Sequence, residues 1–413
     1  MQEEINALKT QGTWTSVPLP PHRNLVGCKW VYRIKKNPDG SVARYKARLV
    51  AKGFSQEAGL DYSEFFSPVV KPSAVRLVLA LSTTFGWQLQ QLDVKNAFLH
   101  GIVHEEVYMS QPPGFIDSEN PSLVCKLHKS LYGLKQAPRA WNDRFTSLNI
   151  FMMCLRKLIF WSKPCVTPCH PNHKLLKDGS FPYSDPAHYR SIVGALQYLT
   201  FTRPDIAYAV HQVCQFMHAP LDTHYLAVKR ILRYLKGTID HGLLYKKGSL
   251  DMTAYTDVDW AGDPNDCRST NGFVVFLGYN PVSWSSKKQQ SVSRSSTEVE
   301  YRAMAVAAAE VVWLQQLLSD LHCPLLRKPI LCCDNQSAMA LSSNPVLHSR
   351  AKHIEIDCHF VREKVTRGDL HLQHVSSAQQ VANVLTKGLC SPSFTFHCST
   401  LMLGPHVHEV EGG

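Results

Sequence analysis

Apolar and polar positions along the chain change their period several times, and each change marks an element. Over "GCKWVYRIKKNPDGSVARYKARLVAKGF", residues 27–54, two β-rich runs flank Asn37-Pro38-Asp39-Gly40, which predicts a hairpin. The helix-like "SAVRLVLALSTTFG" follows, then a strand-like run, "LQQLDVKNAFLHG", with its single carboxylate Asp93 at the strand end. After Ile150 the period disappears: "FMMCLRKLIFWSKPCVTPCHPNHKLLKDGSFPYSDP" collects Pro, Lys and His and reads as a linker. Three helices come next, with starts at Asp185 before Pro186, at Thr202 two positions before Pro204, and at Asp222; the third ends in basic residues and Gly237.

From about Leu250 the chain reads strand, strand, strand, helix, strand, helix, strand, helix. The expected strands are "MTAYTDVDW", "GFVVFLG", "PVSWSSK", "PILCCD" and "LHLQHV"; the long helix starts after Ser295/Ser296, and short helices follow Asp334 and Ser377. The expected domains are therefore 1–150, a linker and helical region 151–249, an α/β domain 250–390, and a disordered tail 391–413.

Composition adds a partner class. The chain has 413 residues, and 44 Lys+Arg against 33 Asp+Glu give a net charge of +11. The surplus is spread over both halves, which favours a polyanionic partner over a basic tail. Between Lys29 and Lys52 eight basic residues face one acid, Asp39, with Trp30, Tyr32, Tyr45 and Phe54 interleaved. A solvated hairpin with core aromatics accounts for this stretch, and so does a basic flap over nucleic acid or a nucleotide; the one-sided charge favours the flap. Thirteen scattered Cys, with no basic leader and apolar run at the start, indicate reduced thiols in an intracellular protein, cytoplasmic or nuclear. No stretch is long and apolar enough for a membrane span. Cys165, Cys169, His170 and His173 lie closer together than the spacing of about a dozen residues between ligand pairs in structural zinc sites.

The α/β region places acids where strands end or helices begin: Asp257 in the first strand, Glu300 in the first turn of the long helix, Asp334 at the end of the fourth strand. Gathered carboxylates repel one another and become stable around divalent cations. Two Mg²⁺ ions about 4 Å apart would clamp the attacking and leaving oxygens of a phosphodiester. Singly, each acid has another explanation. The alternation in "YTDVDW" lets Asp257 and Asp259 face solvent, Glu300 with Thr297 matches a capping box, and Asp334 matches an N-cap. Their joint order is harder to explain that way. In "HIEIDCHF", His353, Glu355, Asp357 and His359 recur at period two, which fits a half-buried strand, a helix start or a separate metal site. In "SSKKQQSVSRSS", Lys287, Lys288 and Arg294 stand where they can touch phosphates, or simply line a solvated loop.

Both halves resemble the Pol polyprotein of copia-type LTR retrotransposons, particularly plant ones. The resemblance runs through "GCKWVYRIK", "RYKARLVAKGF", "QLDVKNAFLHG", "EEVYMSQPPGF" and "SLYGLKQAPRAW", then "VGALQYLTFTRPDIAYAV", "RILRYLKGT", "YTDVDWAGD", "SRSSTEVEYRAM", "DNQSA", "KHIEIDCHFVRE" and "VANVLTKGL". It implies an α+β fingers/palm remnant of a reverse transcriptase followed by a ribonuclease H-like α/β fold, a five-stranded mixed sheet with flanking helices. It also implies RNA/DNA hybrid or duplex nucleic acid as partner, with oligomeric state left open. By resemblance Asp93 corresponds to the first metal-binding Asp of the polymerase palm, Lys46 and Arg48 to fingers residues near the incoming nucleotide, and Lys135 and Gln136 to the nucleotide-pocket motif. Asp257, Glu300 and Asp334 correspond to the first three carboxylates of the ribonuclease H metal site.

Two departures follow. The family joins its palm Asp to an Asp pair in a Tyr-x-Asp-Asp hairpin, and this chain has no Asp-Asp dipeptide. Between Asn149 and Lys163 it passes almost directly into the connection region, so the polymerase is expected to be inactive. The family's Ala-Asp-x-x-Thr-Lys motif reads "VANVLTKGL" here, which puts Asn383 in place of the fourth carboxylate. An amide oxygen still ligates Mg²⁺ but carries no charge. Three readings stand: slow ribonuclease H hydrolysis, a non-catalytic basic nucleic-acid-binding remnant, or an active polymerase whose Asp pair is lost to a gene-model error.

Overall fold

The computed structural model describes residues 1–36, 41–62, 70–89, 102–103, 105–137, 164–171, 174–343 and 355–405. They fall into two compact units, 1–69 with 90–155, and 70–89 with 156–413. The Asn-Pro-Asp-Gly turn, the Asp93 strand, His173 and His353 lie outside the described residues.

In the first unit, helix α1 (Gln2–Thr10) buries Ile5 and Leu8. The strands are β1 (Trp14–Val17), β2 (Leu25–Val26), β3 (Cys28–Lys36), β4 (Val42–Ala51), β5 (Tyr108–Met109) and β6 (Val124–Leu127). β3 and β4 pair antiparallel as the expected hairpin, Trp30 opposite Leu49 and Arg33 opposite Lys46. The other four form a small sheet in the order β1-β6-β5-β2. Leu8, Val26, Leu49, Met109, Leu127 and Leu131 share one core beneath it.

The second unit contains α2 (Pro72–Phe85), α3 (Pro186–Leu199), α4 (Ala207–Cys214), α5 (Asp222–Gly237), α6 (Ser296–Asp320), α7 (Gln336–Ser343), α8 (Glu355–Thr366) and α9 (Ser391–Thr400). Of the three expected starts, only Asp185 acts as a side-chain cap. Asp185 accepts the His188 N–H at 2.9 Å, and Pro204 opens a 3-10 turn that runs into α4. At α5 the cap comes from inside the helix, where His224 Nδ1 accepts the Leu221 N–H at 2.9 Å. From Glu355 on, the "HIEIDCHF" stretch takes the helix-start alternative, as α8.

The strands of this unit are β7 (His241–Leu243), β8 (Met252–Asp259), β9 (Thr270–Leu277), β10 (Asn280–Lys288), β11 (Ile330–Cys333), β12 (His371–His374) and β13 (Leu403–Pro405). Five of them form a mixed sheet in the order β10-β9-β8-β11-β12. β10, β9 and β8 run antiparallel, while β8, β11 and β12 are parallel. Both faces are covered, which is why "GFVVFLG" reads as a continuous apolar run. Phe273 and Val275 face the long helix α6 and its Tyr301, Met304, Val311 and Leu314; Val274 and Phe276 face Ile206, Val210, Val381 and Leu385. Helix α2 packs Leu77, Ala80 and Leu81 into the α6-side core and lies against β10, so the strand at that end of the sheet is not left bare.

The C-terminal segment corrects an expectation. Residues 391–405 are ordered: α9 buries Phe394 and His397, Leu401 is fully buried, and β13 pairs antiparallel with β7. Ser, Pro and His dominate the segment and hide its few apolar positions in sequence, yet those positions are what the second face of the sheet needs. Burying a side chain such as Phe394 contributes about 1.5–3 kcal/mol.

One glycine positions the site described next. Gly272 stands opposite Asp257 in the β8–β9 ladder. A Cβ there would come within 2.7 Å of Leu385 Cβ and 2.8 Å of Thr386 Cγ2. The missing side chain lets the 3-10 segment Val381–Leu385 settle onto the sheet. Gly272→Ala should therefore destabilise the second unit by about 1–3 kcal/mol through overpacking. Chemical denaturation of the two proteins measures this, and an unchanged midpoint would show that the segment is not in close contact.

Candidate active site

Asp257 lies near the end of the central strand β8 and is only 2% exposed. Its Oδ2 accepts a hydrogen bond from Thr386 Oγ1 and forms an ion pair with Lys387 Nζ at 3.3 Å. Both partners directly follow the 3-10 segment, which Gln380 fixes in place by donating from Nε2 to the Thr256 carbonyl at 2.9 Å. Burial raises the Asp257 carboxyl above its ordinary range, and Lys387 opposes that shift. The solvent-facing alternative for Asp257 is therefore not what the fold adopts. Asp259, two residues on, is only partly buried and pairs with Lys174.

Glu300 projects from the first turns of α6. The helix is capped without it: Ser295 Oγ accepts the Glu298 N–H at 3.2 Å, and Glu298 Oε2 accepts the Arg294 N–H at 3.2 Å. Ser295 therefore fills the N-cap, two residues before Thr297, and corrects the Thr297/Glu300 alternative. Glu300 is 7% exposed, and its Oε2 has no hydrogen-bond partner. Burial, then the negative charges of Asp257 and Asp334, push its carboxyl up to about 9, while Lys387 and the Val258 backbone act in the opposite direction.

Asp334 follows β11 immediately and accepts from Ser377 Oγ at 2.8 Å. Asn335, not Asp334, caps α7, since its Oδ1 accepts the Ala338 N–H at 3.0 Å. The Ser377 carbonyl accepts from Asn383 Nδ2 at 2.8 Å, so one serine links Asp334 to the residue at the family's fourth position. Asn383 Oδ1 is buried and unpartnered. Ligand atoms of Glu300, Asp334 and Cys333 lie within 4.8 Å of one another. Sequence reasoning passed over Cys333, Ser377, Thr386 and Lys387, although "VANVLTKGL" and "CCD" contain three of them.

Three carboxylates, raised proton affinities at two of them and orphaned oxygens on Glu300 and Asn383 fit a divalent cation bound by oxygen donors. The expected phosphate contacts are less uniform. Lys287 and Arg294 are exposed. Lys288 is committed internally, 2.5 Å from Asp263 Oδ2 and 2.8 Å from Asp266 Oδ1. In the first unit Arg48 lies over the Tyr132 ring at 4.8 Å, and Lys46 and Arg48 both act on Glu4. Lys135 Nζ donates to the Gln56 carbonyl and to Tyr62 Oη, both at 3.1 Å. Gln136 is buried, donates to the Asp61 carbonyl at 3.1 Å and accepts from Gln56 Nε2 at 3.0 Å. Tyr32 and Tyr45 stand exposed on the hairpin.

Residues 11–160 match the family model described as reverse transcriptase (RNA-dependent DNA polymerase). The retrovirus-related Pol polyprotein from transposon RE1 of Arabidopsis thaliana is 44% identical across 95% of this chain and 33% of the relative. That from transposon TNT 1-94 of Nicotiana tabacum is 34% identical across 98% of this chain and 37% of the relative. Over nearly its whole length the chain is similar to Pol polyproteins of plant copia-type retrotransposons. It spans about a third of the length of these Pol relatives. The RE1 match runs over 480 positions, whereas 95% of 413 residues is about 392, so roughly 90 aligned positions of that Pol have no counterpart here. Among solved structures, similarity extends to LC11-RNase H1 (TM-score 0.27, 18% identity, 33% of this chain and 93% of that one). It also extends to the foamy viral protease-reverse transcriptase in complex with dsDNA (TM-score 0.46, 10% identity, 91% and 82%).

The raised carboxyls carry a signed pH dependence. Glu300 ionises near 4.5 when unfolded and near 9 when folded, so it contributes fold stability below about 4.5 that is lost as pH rises toward 9. In metal-free buffer the unfolding temperature should fall across that window, and Glu300→Gln, which has no proton to lose, should flatten the decline. A variant as pH-sensitive as the parent would mean that Glu300 is not the titrating group.

Proposed function

We propose that the chain is a degenerate Pol fragment whose second unit retains ribonuclease H chemistry, the hydrolysis of the RNA strand of an RNA/DNA hybrid. The observation that carries this reading is the closeness of three acids from two strands and a helix: Glu300 and Asp334 have ligand atoms within 4.8 Å of each other, and the charges of Asp257 and Asp334 both act on the buried Glu300, whose Oε2 is unpartnered. Those three side chains would hold two Mg²⁺ ions, with Asn383 as a neutral fourth ligand. When bound, the metal supplies an activated water and charge neutralisation at the leaving oxygen. The protein's own residues supply position. Thr386 and Lys387 orient Asp257, Ser377 orients Asp334 and Asn383, and exposed Lys287 and Arg294 attract the phosphates.

Polymerase activity is absent in this reading, because Asp93 lacks the paired Asp that would share its metals. The missing aligned positions support an internal deletion, which we place at 145–165. Sequencing the transcript across those codons separates a true deletion from a gene-model error, and a restored Asp pair would reinstate the polymerase reading. The protein acts inside the cell, cytoplasmic or nuclear, in keeping with a set of described cysteines that forms no disulfide. No described helix is long and apolar enough to cross a membrane. The competing reading, a non-catalytic basic binder, draws on the hairpin with its exposed tyrosines and one-sided charge.

The purified chain should cleave a labelled hybrid slowly with Mg²⁺. Asn383→Asp should raise the rate about tenfold or more, as expected when a neutral ligand regains charge, and Asp334→Asn should abolish cleavage in either background. A folded Asn383→Asp protein that binds the hybrid in low salt yet leaves it intact would establish the binding reading instead.

A further inference from the structure

Cys333 takes no part in the chemistry proposed above, yet its sulfur lies beside two of the carboxylates. It ends β11, one residue before Asp334, and its side chain faces the first turns of α6 where Glu300 emerges. Sγ, a Glu300 oxygen and an Asp334 oxygen all lie within 4.8 Å of one another. The Asn335 backbone N–H donates to Sγ at 3.4 Å, a contact that strengthens when sulfur becomes a thiolate. Glu300, more than nine-tenths buried, leaves Oε2 without a partner beside this sulfur.

We propose that Cys333, Glu300 and Asp334 form a mixed sulfur and oxygen site for a thiophilic divalent cation, Zn²⁺ or Cd²⁺, which overlaps the carboxylate site and displaces Mg²⁺ from it.

The donor chemistry decides the cation. Mg²⁺ requires oxygen ligands and loses its water reluctantly, so Cys333 offers it nothing. Zinc accepts thiolate at about 2.3 Å and carboxylate at about 2.0–2.2 Å. Donors bound to one tetrahedral ion at those lengths lie roughly 3.5 Å apart, so the three atoms need only a modest contraction. Thiolate ligands select zinc-like cations over magnesium-like ones. On binding, the Cys333 S–H bond breaks, the sulfur keeps the electron pair and donates it to the cation, and the proton leaves to solvent; no oxidant or reductant is involved. Asp334, the partly exposed member of the three, gives the cation its way in. The neighbouring Cys332 points to the opposite face of β11 and is a built-in control.

The inference rests on the carboxylate reading for the position of the donors, not for their activity, and the test keeps the two apart. The full reduced chain is titrated with Cd²⁺ alone, and the ultraviolet thiolate-to-cadmium charge-transfer band is followed for the parent, Cys332→Ser and Cys333→Ser. Cys333→Ser should remove one cadmium thiolate per chain from the saturated band, while Cys332→Ser should leave it unchanged. Glu300→Gln should weaken that same cadmium site at least about tenfold without removing a sulfur. Excess Mg²⁺ should lower the apparent Cd²⁺ affinity in the parent but not in Cys333→Ser. If Cys333→Ser keeps the full band, or if it does not fold and Glu300→Gln binds Cd²⁺ as the parent does, the proposal is overturned. Hybrid cleavage by the unmodified chain with Mg²⁺ tests the functional reading alone. Cleavage without a Cys333-dependent band rejects this site, and the band without cleavage rejects only the catalysis.

Discussion

Electrostatic repulsion among three acids brought together from two strands and a helix is the constraint on which the second unit is arranged. Asp257 has almost no contact with solvent, and Glu300 is nearly as buried. Two such groups cannot both ionise cheaply without a counter-charge, and the fold supplies one at hand: Lys387, 3.3 Å from Asp257. That ammonium acts on Asp257 and Glu300 alike. It reaches them only because Gly272 lets the Val381–Leu385 segment lie flat on the sheet and Gln380 secures it there. Packing, cap and charge balance are therefore one arrangement, and a divalent cation would complete what a single lysine does in part.

The departure at Asn383 changes this balance more than the ligand count. An Asp there would add a fourth negative charge beside Asp334, through the shared Ser377. With the amide, the metal-free site carries one negative charge fewer, and under the proposed function a cation would be held less firmly. Lys288, bound to Asp263 and Asp266, reflects the same economy: a cation read from sequence as a phosphate contact is already neutralised within the fold.

Much of this architecture was legible in the sequence. The five sheet strands, the long helix after Ser295/Ser296 and the hairpin follow from period and turn chemistry, since alternation and apolar runs respond directly to which faces are covered. The three carboxylates were legible only through their joint order, because any one of them is also a cap or a surface acid. What sequence concealed was tertiary. The α9 segment looked like a tail because Phe394 and Leu401 stand alone among Ser, Pro and His, and only the uncovered face of the sheet gives them a place. The Ser295/Glu298 cap was obscured by a second match to the same pattern two residues on. Cys333 and Lys387 sat inside motifs already noted, but nothing in a linear reading brings either within reach of Glu300 or Asp257.

The central claim, that buried carboxylates in conflict are relieved by a divalent cation, is tested most directly by calorimetric titration of the metal-free chain with Mg²⁺ in two buffers of different ionisation enthalpy. At neutral pH Glu300, pushed up to about 9, still holds its proton, so binding must expel it. The account predicts heats that differ between the buffers, corresponding to release of close to one proton per chain, and a much smaller difference for Glu300→Gln. Heats that are identical in the two buffers, or no saturable binding of Mg²⁺, would contradict it.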